Sequence, residues 1–217
     1  MTPEHAMHLP RCLCVAALAG WTVLPAPVEA YEVNITAQNP RAVYLRVGDG
    51  LMSGGNYNSG GTPVAGGAVN RVQVTVPAAS VGNGIPVAMG TEGSPRLTSD
   101  WDGYLFCNPG QIYIGGFYRR TGGAGQVAQL TVTAPASLVS AEGRTIPISQ
   151  ISWTTSGNGD IGAQPIPAGT FSPGQAPLAS FPRNVWRESC MSFTYANQNL
   201  VAAGTYDATV TYTMAHP

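Results

Sequence analysis

Residues 204–214 alternate without interruption between two kinds of side chain. Tyr206, Ala208, Val210, Tyr212 and Met214 are apolar or aromatic, whereas Thr205, Asp207, Thr209, Thr211 and Thr213 carry a hydroxyl or an acid. Side chains of a strand project to opposite faces with a period of two, so this pattern predicts a strand with one core face and one wet face. The same alternation runs from Tyr31 through Val33, Ile35 and Ala37, set against Glu32, Asn34, Thr36 and Gln38, until Asn39-Pro40 breaks it. Val43, Leu45 and Val47 alternate with Tyr44 and Arg46, and Val72, Val74 and Val76 with Arg71, Gln73 and Thr75. Ala128, Leu130 and Val132 alternate with Gln129, Thr131 and Thr133, and Met191, Phe193 and Tyr195 with Cys190, Ser192 and Thr194. The parity slip between Ile148 and Ile151, in the series Ile146, Ile148, Ile151 and Trp153, predicts a strand pair or a bulged strand.

Between these runs, residues 53–67 are rich in Gly, Ser and Asn and predict a long mobile loop. Residues 156–182 are turn-rich, with Ile166, Phe171 and Leu178 as isolated apolar anchors. No apolar pattern at i, i+3, i+4 and i+7 persists for three turns, and the β-branched and Thr runs favour strands. About eight to ten short strands separated by turns predict an all-β fold, an antiparallel β-sandwich of immunoglobulin-like, incomplete immunoglobulin-like or jelly-roll-like form.

Composition narrows this picture. The chain has 217 residues, 44% apolar and only 10% charged, which suits one core-bearing domain and not a disordered segment. All ten basic residues are Arg and the net charge is -1, so no basic face advertises nucleic acid or an acidic membrane surface. Residues 1–30 have the form of a signal peptide: Arg11, an apolar run over residues 12–24, and Val28-Glu29-Ala30 as a small-residue cleavage site. That run is too short for a membrane span, so an exported chain with no span after signal removal is expected, its single sandwich domain covering residues 31–217. In an exported protein Cys107 and Cys190 are most simply a disulfide, the alternative being two buried free thiols.

Candidate chemistry is sparse. Asp100 and Asp102 form the one close carboxylate pair; they suit a glycosidase-like acid and base, or two solvated turn acids. Asp49 and Asn158-Gly159-Asp160 offer oxygens to Ca²⁺, but no stretch supplies the run of ligands that a calcium loop requires. Signal removal leaves His216 as the single histidine, and no Cys-x-x-Cys, Gly-x-Ser-x-Gly or phosphate-binding Gly-rich loop remains. An enzyme is therefore disfavoured, and neither a cofactor nor a metal is expected. Trp101, Tyr104, Tyr113, Phe117 and Tyr118 suit either a sugar-stacking platform or core packing.

With its leading and terminal alternating strands, the chain resembles the subunits of chaperone–usher pili, the bacterial fimbrial pilins. Gly204 stands fourteenth from the end, as a glycine does in that family, and Tyr206, Ala208, Val210, Tyr212 and Met214 supply the alternation that follows it. The resemblance implies an immunoglobulin-like domain lacking its last strand, with those residues lining an acceptor groove. A periplasmic chaperone would fill the groove first, and the N-terminal extension of a neighbouring pilus subunit would replace it. Tyr31, Val33, Ile35 and Ala37, within a possible donor strand at residues 31–38, would be the donor side chains. The implied role is a non-catalytic homo- or hetero-polymer subunit in surface adhesion, passing from the periplasm to a fimbrium at the cell surface. Two features depart from the family: His216 stands where many members carry an aromatic, and the family's usual disulfide joins the first two strands. The alternative reading is a self-sufficient secreted carbohydrate- or surface-binding sandwich that uses the aromatic cluster, with residues 31–37 paired inside their own sheet.

Overall fold

A computed structural model describes residues 33–38, 41–68, 70–93, 95–123 and 125–217. Its strands, in chain order, begin with β1 (Val33–Asn34), β2 (Ala42–Val47), β3 (Asp49–Ser53), β4 (Thr62–Ala68), β5 (Val72–Gln73), β6 (Val87–Ala88) and β7 (Gly90–Thr91). There follow β8 (Ile112–Arg119), β9 (Val127–Ala134), β10 (Ser137–Ser140), β11 (Thr145–Pro147) and β12 (Ile151–Ser156). The last are β13 (Gly169–Thr170), β14 (Gly174–Pro182), β15 (Val185–Tyr195), β16 (Tyr206–Asp207) and β17 (Thr211–Ala215). Among the described residues there is no α-helix, and every ladder between these strands is antiparallel. The fold is all-β and sandwich-like.

The main sheet runs β13-β12-β15-β8-β2, with β1 and β6 also paired to β15; a second sheet runs β14-β9-β17. Ile112, Ile114 and Tyr118 of β8 and Met191, Phe193 and Tyr195 of β15 meet Ala128, Leu130, Val132, Leu178 and Phe181 from the second sheet in the principal core. The residues of β8, β15 and β9 follow the period-two spacing that puts alternate residues on one face, whereas Leu178 and Phe181 of β14 lie three apart across a register shift. The other parity of the main sheet is buried as well. Phe117 and Trp186 lie in a second cluster with Val33 and Ile35, and Tyr113 and Cys190 in a third with Phe106 and Cys107. The segments between β3 and β8 cover this face, so Tyr44 and Arg46 stand on a second interior and not on the wet side that their alternation predicts.

Cys107 and Cys190 form a disulfide with Cα atoms 5.4 Å apart across a separation of 83 residues, and both are fully buried. It ties the turn ahead of β8 to the middle of β15.

Three expectations need correction. Residues 53–67 are an ordered hairpin of β3 on β4 with a 3-10 turn at Tyr57–Ser59, closed by Asn56, whose side chain accepts from the Ser59 amide. Residues 174–182, expected to be turns, are the nine-residue strand β14; Pro177 and a register shift between Pro177 and Ala179 obscure its alternation. Proline is tolerated there because β14 is an edge strand. The terminal run is two strands: β16 pairs with β10 and β17 with β9, and residues 208–210 cross from one sheet to the other. The slip at Ile148 is a 3-10 turn, Ile148–Gln150, between β11 and β12, which lets Ile148 and Ile151 both reach the core.

Replacing both Cys107 and Cys190 by Ser is expected to lower unfolding free energy by about 4 kcal/mol, the chain-entropy value for a loop of this length. Urea denaturation followed by tryptophan fluorescence measures it.

Candidate strand-acceptor groove

β9 sits between β14 and β17, so among the described residues β17 has one paired edge and one free edge; β2 is likewise the last strand of the main sheet. Leu45 and Val47 of β2 and Val210, Tyr212 and Met214 of the terminal run are half-buried against the principal core. β2 and β17 lie beside each other, yet among the described residues no ladder joins them. Beside β2 runs a groove of about 460 Å³, lined by Val43, Leu45 and Val47, by Pro63 and Val64 of β4, and by Tyr212. At the far end of β2 the Arg41 side chain donates to the Pro217 carbonyl at 3.1 Å, and the His216 ring stacks on Tyr118 at 5.6 Å.

Of the residues expected to line an acceptor groove, Tyr206, Val210, Tyr212 and Met214 are half-buried, while Gly204 and Ala208 are exposed. Among these, Tyr212 is the one that reaches the groove itself. Burial pushes its phenol well above the usual tyrosine range.

Behind β2 lies a polar cluster that sequence reasoning missed. Arg46 is fully buried and ion-pairs with Asp100, which is also fully buried. Its Nε donates to the Gly48 carbonyl at 2.6 Å, and its guanidinium lies 4.2 Å from the centre of the Tyr113 ring. The Tyr44 hydroxyl donates to the other Asp100 oxygen at 2.6 Å; burial, reinforced by that carboxylate, pushes the phenol upward. The Glu188 carboxylate accepts from the hydroxyl of Tyr113, from the Trp186 ring at 2.9 Å and from Ser99 at 2.8 Å. Burial drives the Glu188 carboxyl above its ordinary value of 4.5 despite those three donors. Two glycines make room for this packing: a Cβ on Gly115 would stand 2.1 Å from the Tyr113 hydroxyl, and one on Gly50 would stand 2.5 Å from Arg46 Cδ. No local signal marked it, because Arg46 falls on the parity that alternation assigns to the wet face.

Of the carboxylates Asp100 and Asp102, the first is buried and not a solvated turn acid, while the second is a half-exposed turn acid. Asp100 is spent on Arg46 and Tyr44, and Asp102 accepts from the Tyr104 amide at 3.0 Å. The aromatic platform is not assembled either. Tyr113, Phe117 and Tyr118 are buried and Trp101 is half-buried against Trp186, so Tyr104, 77% exposed, stands alone at the surface. Asp49, considered for Ca²⁺, accepts from the Arg96 amide and the Asn70 side chain. No group of three His, Cys, Asp or Glu among the described residues is placed to hold a metal ion, and none of their helices is long and apolar enough to cross a membrane.

The segment expected to be a donor strand is docked on its own chain. Val33 stands opposite Trp186 and Asn34 opposite Val185; Val33 and Ile35 are buried and Ala37 is exposed. Tyr31 and residues 1–30, expected to be a signal peptide, lie outside the described residues.

Comparison with family models, with curated proteins and with solved structures finds no match to the chain.

Arg46→Met strands a buried carboxylate and is expected to cost about 3–5 kcal/mol, whereas Arg46→Met with Asp100→Leu costs less than the sum of the single changes. A double-mutant cycle in urea reads that coupling. The raised Glu188 carboxyl binds its proton more tightly folded than unfolded, so its contribution is complete below the ordinary value and is lost as pH climbs through the raised one. Relative to the native chain, Glu188→Gln is therefore expected to gain in urea midpoint between pH 4 and pH 7.

Proposed function

We propose that the protein is an exported, non-catalytic structural subunit that takes up a β-strand from another polypeptide along the free edges of β2 and β17, as pilus subunits do. One observation carries this reading: two unpaired edges lie side by side with a groove between them and the β3–β4 hairpin. Unpaired edges recruit foreign strands unless charge, proline or a bulge blunts them. Neither edge is blunted here. β17 reads Thr-Tyr-Thr-Met-Ala, and the single charge on β2, Arg46, is turned inward. Strand addition would complete the backbone hydrogen bonding, and side chains of one parity would enter the groove and set register. In a polymer the occupant is residues 31–37 of a neighbouring copy, with Tyr31, Val33, Ile35 and Ala37 as its inward parity; before assembly a periplasmic chaperone takes the same edges. A fimbrium at the cell surface is the corresponding destination.

A self-sufficient secreted binding domain is the second reading, favoured by the pairing of β1 with its own β15. In that reading the groove stays empty and the monomer is indifferent to added strands.

The test uses the exported chain and a free peptide of residues 31–37. Strand donation predicts that the peptide slows amide hydrogen exchange over residues 42–47 and 211–215. Ala65→Arg, an exposed change at the groove wall, is expected to weaken peptide uptake at least tenfold without moving Tm. Exchange unaltered by saturating peptide selects the binding-domain reading.

A further inference from the structure

The segment assigned as donor already occupies a strand position on its own chain. β12 pairs with β15 only from Cys190 to Tyr195, and where that ladder ends the same side of β15 is taken by β1, across from β8. Val33 faces Trp186, Asn34 faces Val185, and the Ile35 amide donates to the Asn184 carbonyl at 2.9 Å. Val33 and Ile35, 9% and 7% exposed, pack against Phe117 and Trp186 with Tyr44 and Tyr57 alongside.

We propose that this slot on β15 is the storage position of the donor strand, which the free subunit holds until the groove of a second copy takes it. The inference rests on the strand-donation reading above. Val33 and Ile35 are of one parity and fill the slot; the same two side chains would fill a neighbour's groove, so the two positions exclude each other. Among the described residues the slot holds the segment by two residue pairs and one further backbone bond, a ladder too short to be stable by itself. A groove that runs along β2, six residues long, and is reached from β17 by Tyr212 offers a longer ladder, so exchange favours the neighbour. Storage also keeps an apolar strand from pairing indiscriminately before assembly. The segment runs directly into β2, so once released it projects from the edge of the main sheet. Residues 31–41, fully extended, reach about 36 Å.

Two measurements test the exchange. Asn34→Cys with Val185→Cys joins register partners and pins the segment in its slot. The oxidised chain is expected to polymerise at least tenfold less than the same chain unlinked, while free peptide of residues 31–37 still slows exchange over residues 211–215. In the unmodified chain, hydroxyl-radical labelling of Trp186 is expected to rise several-fold on polymerisation, because β1 leaves it. A cross-linked chain that polymerises like the unlinked one, or Trp186 labelling unchanged by polymerisation, overturns the storage position and leaves the groove reading standing. Peptide that never protects residues 211–215 overturns the groove reading and this inference with it.

Discussion

The structure depends on a strand that is enclosed on every side. β15 is hydrogen-bonded along one edge to β12 and β1 and along the other to β8 and β6, and each of its faces meets a separate interior. Met191, Phe193 and Tyr195 belong to the core between the sheets; Trp186, Glu188 and Cys190 belong to the interior on the opposite face. An unmatched polar group on a strand so placed is costly, and the Tyr195 hydroxyl at its end is one that the fold tolerates. Glu188 is accordingly met by three donors, and Cys190 by a covalent partner.

That second interior explains why a Gly- and Pro-rich stretch between β3 and β8 is ordered. Its anchors are polar and aromatic and do not follow a strand period. Asp100 is held by Arg46 and Tyr44, Asp49 by Arg96 and Asn70, and Trp101 and Tyr57 by the Trp186 ring. Buried polar groups with complete partners specify one arrangement of the segments that carry them. Functionally, β2 is therefore fixed from behind by Arg46 and on one edge by β8, which leaves its other edge set beside the groove. An acceptor for an incoming strand needs that rigidity, because binding then orders only the incoming chain.

Strand β1 links the two interiors to the proposed assembly. It adds to β15 by the same backbone pairing that a donated strand would use at β17, and its Val33 and Ile35 fill an aromatic pocket on the way. In the proposed assembly this short segment would have two chemically similar destinations, one in its own chain and one in a neighbour. The choice between them turns on ladder length and on the side chains each site can bury.

Local alternation by itself determined the strand class, the inward parity of β9 and β15, and the position of the last strand, because one buried face writes a period of two into the sequence. It also marked Ile166, Phe171 and Leu178 as core anchors without placing them in strands. What alternation cannot express is a sheet buried on both faces, since the second parity then carries residues such as Tyr44 and Arg46, which read as surface residues until their partners are in place. The aromatic residues from Trp101 to Tyr118 were legible as core packing or a platform, but not as a second interior, and Asp100 as an acid but not as the counterion of Arg46, 54 residues away. Only the tertiary structure decided which edges stay unpaired, because edge exposure depends on which strands arrive alongside. That is how it brings β2 and β17 together beside one groove and seats Val33 and Ile35 on Trp186.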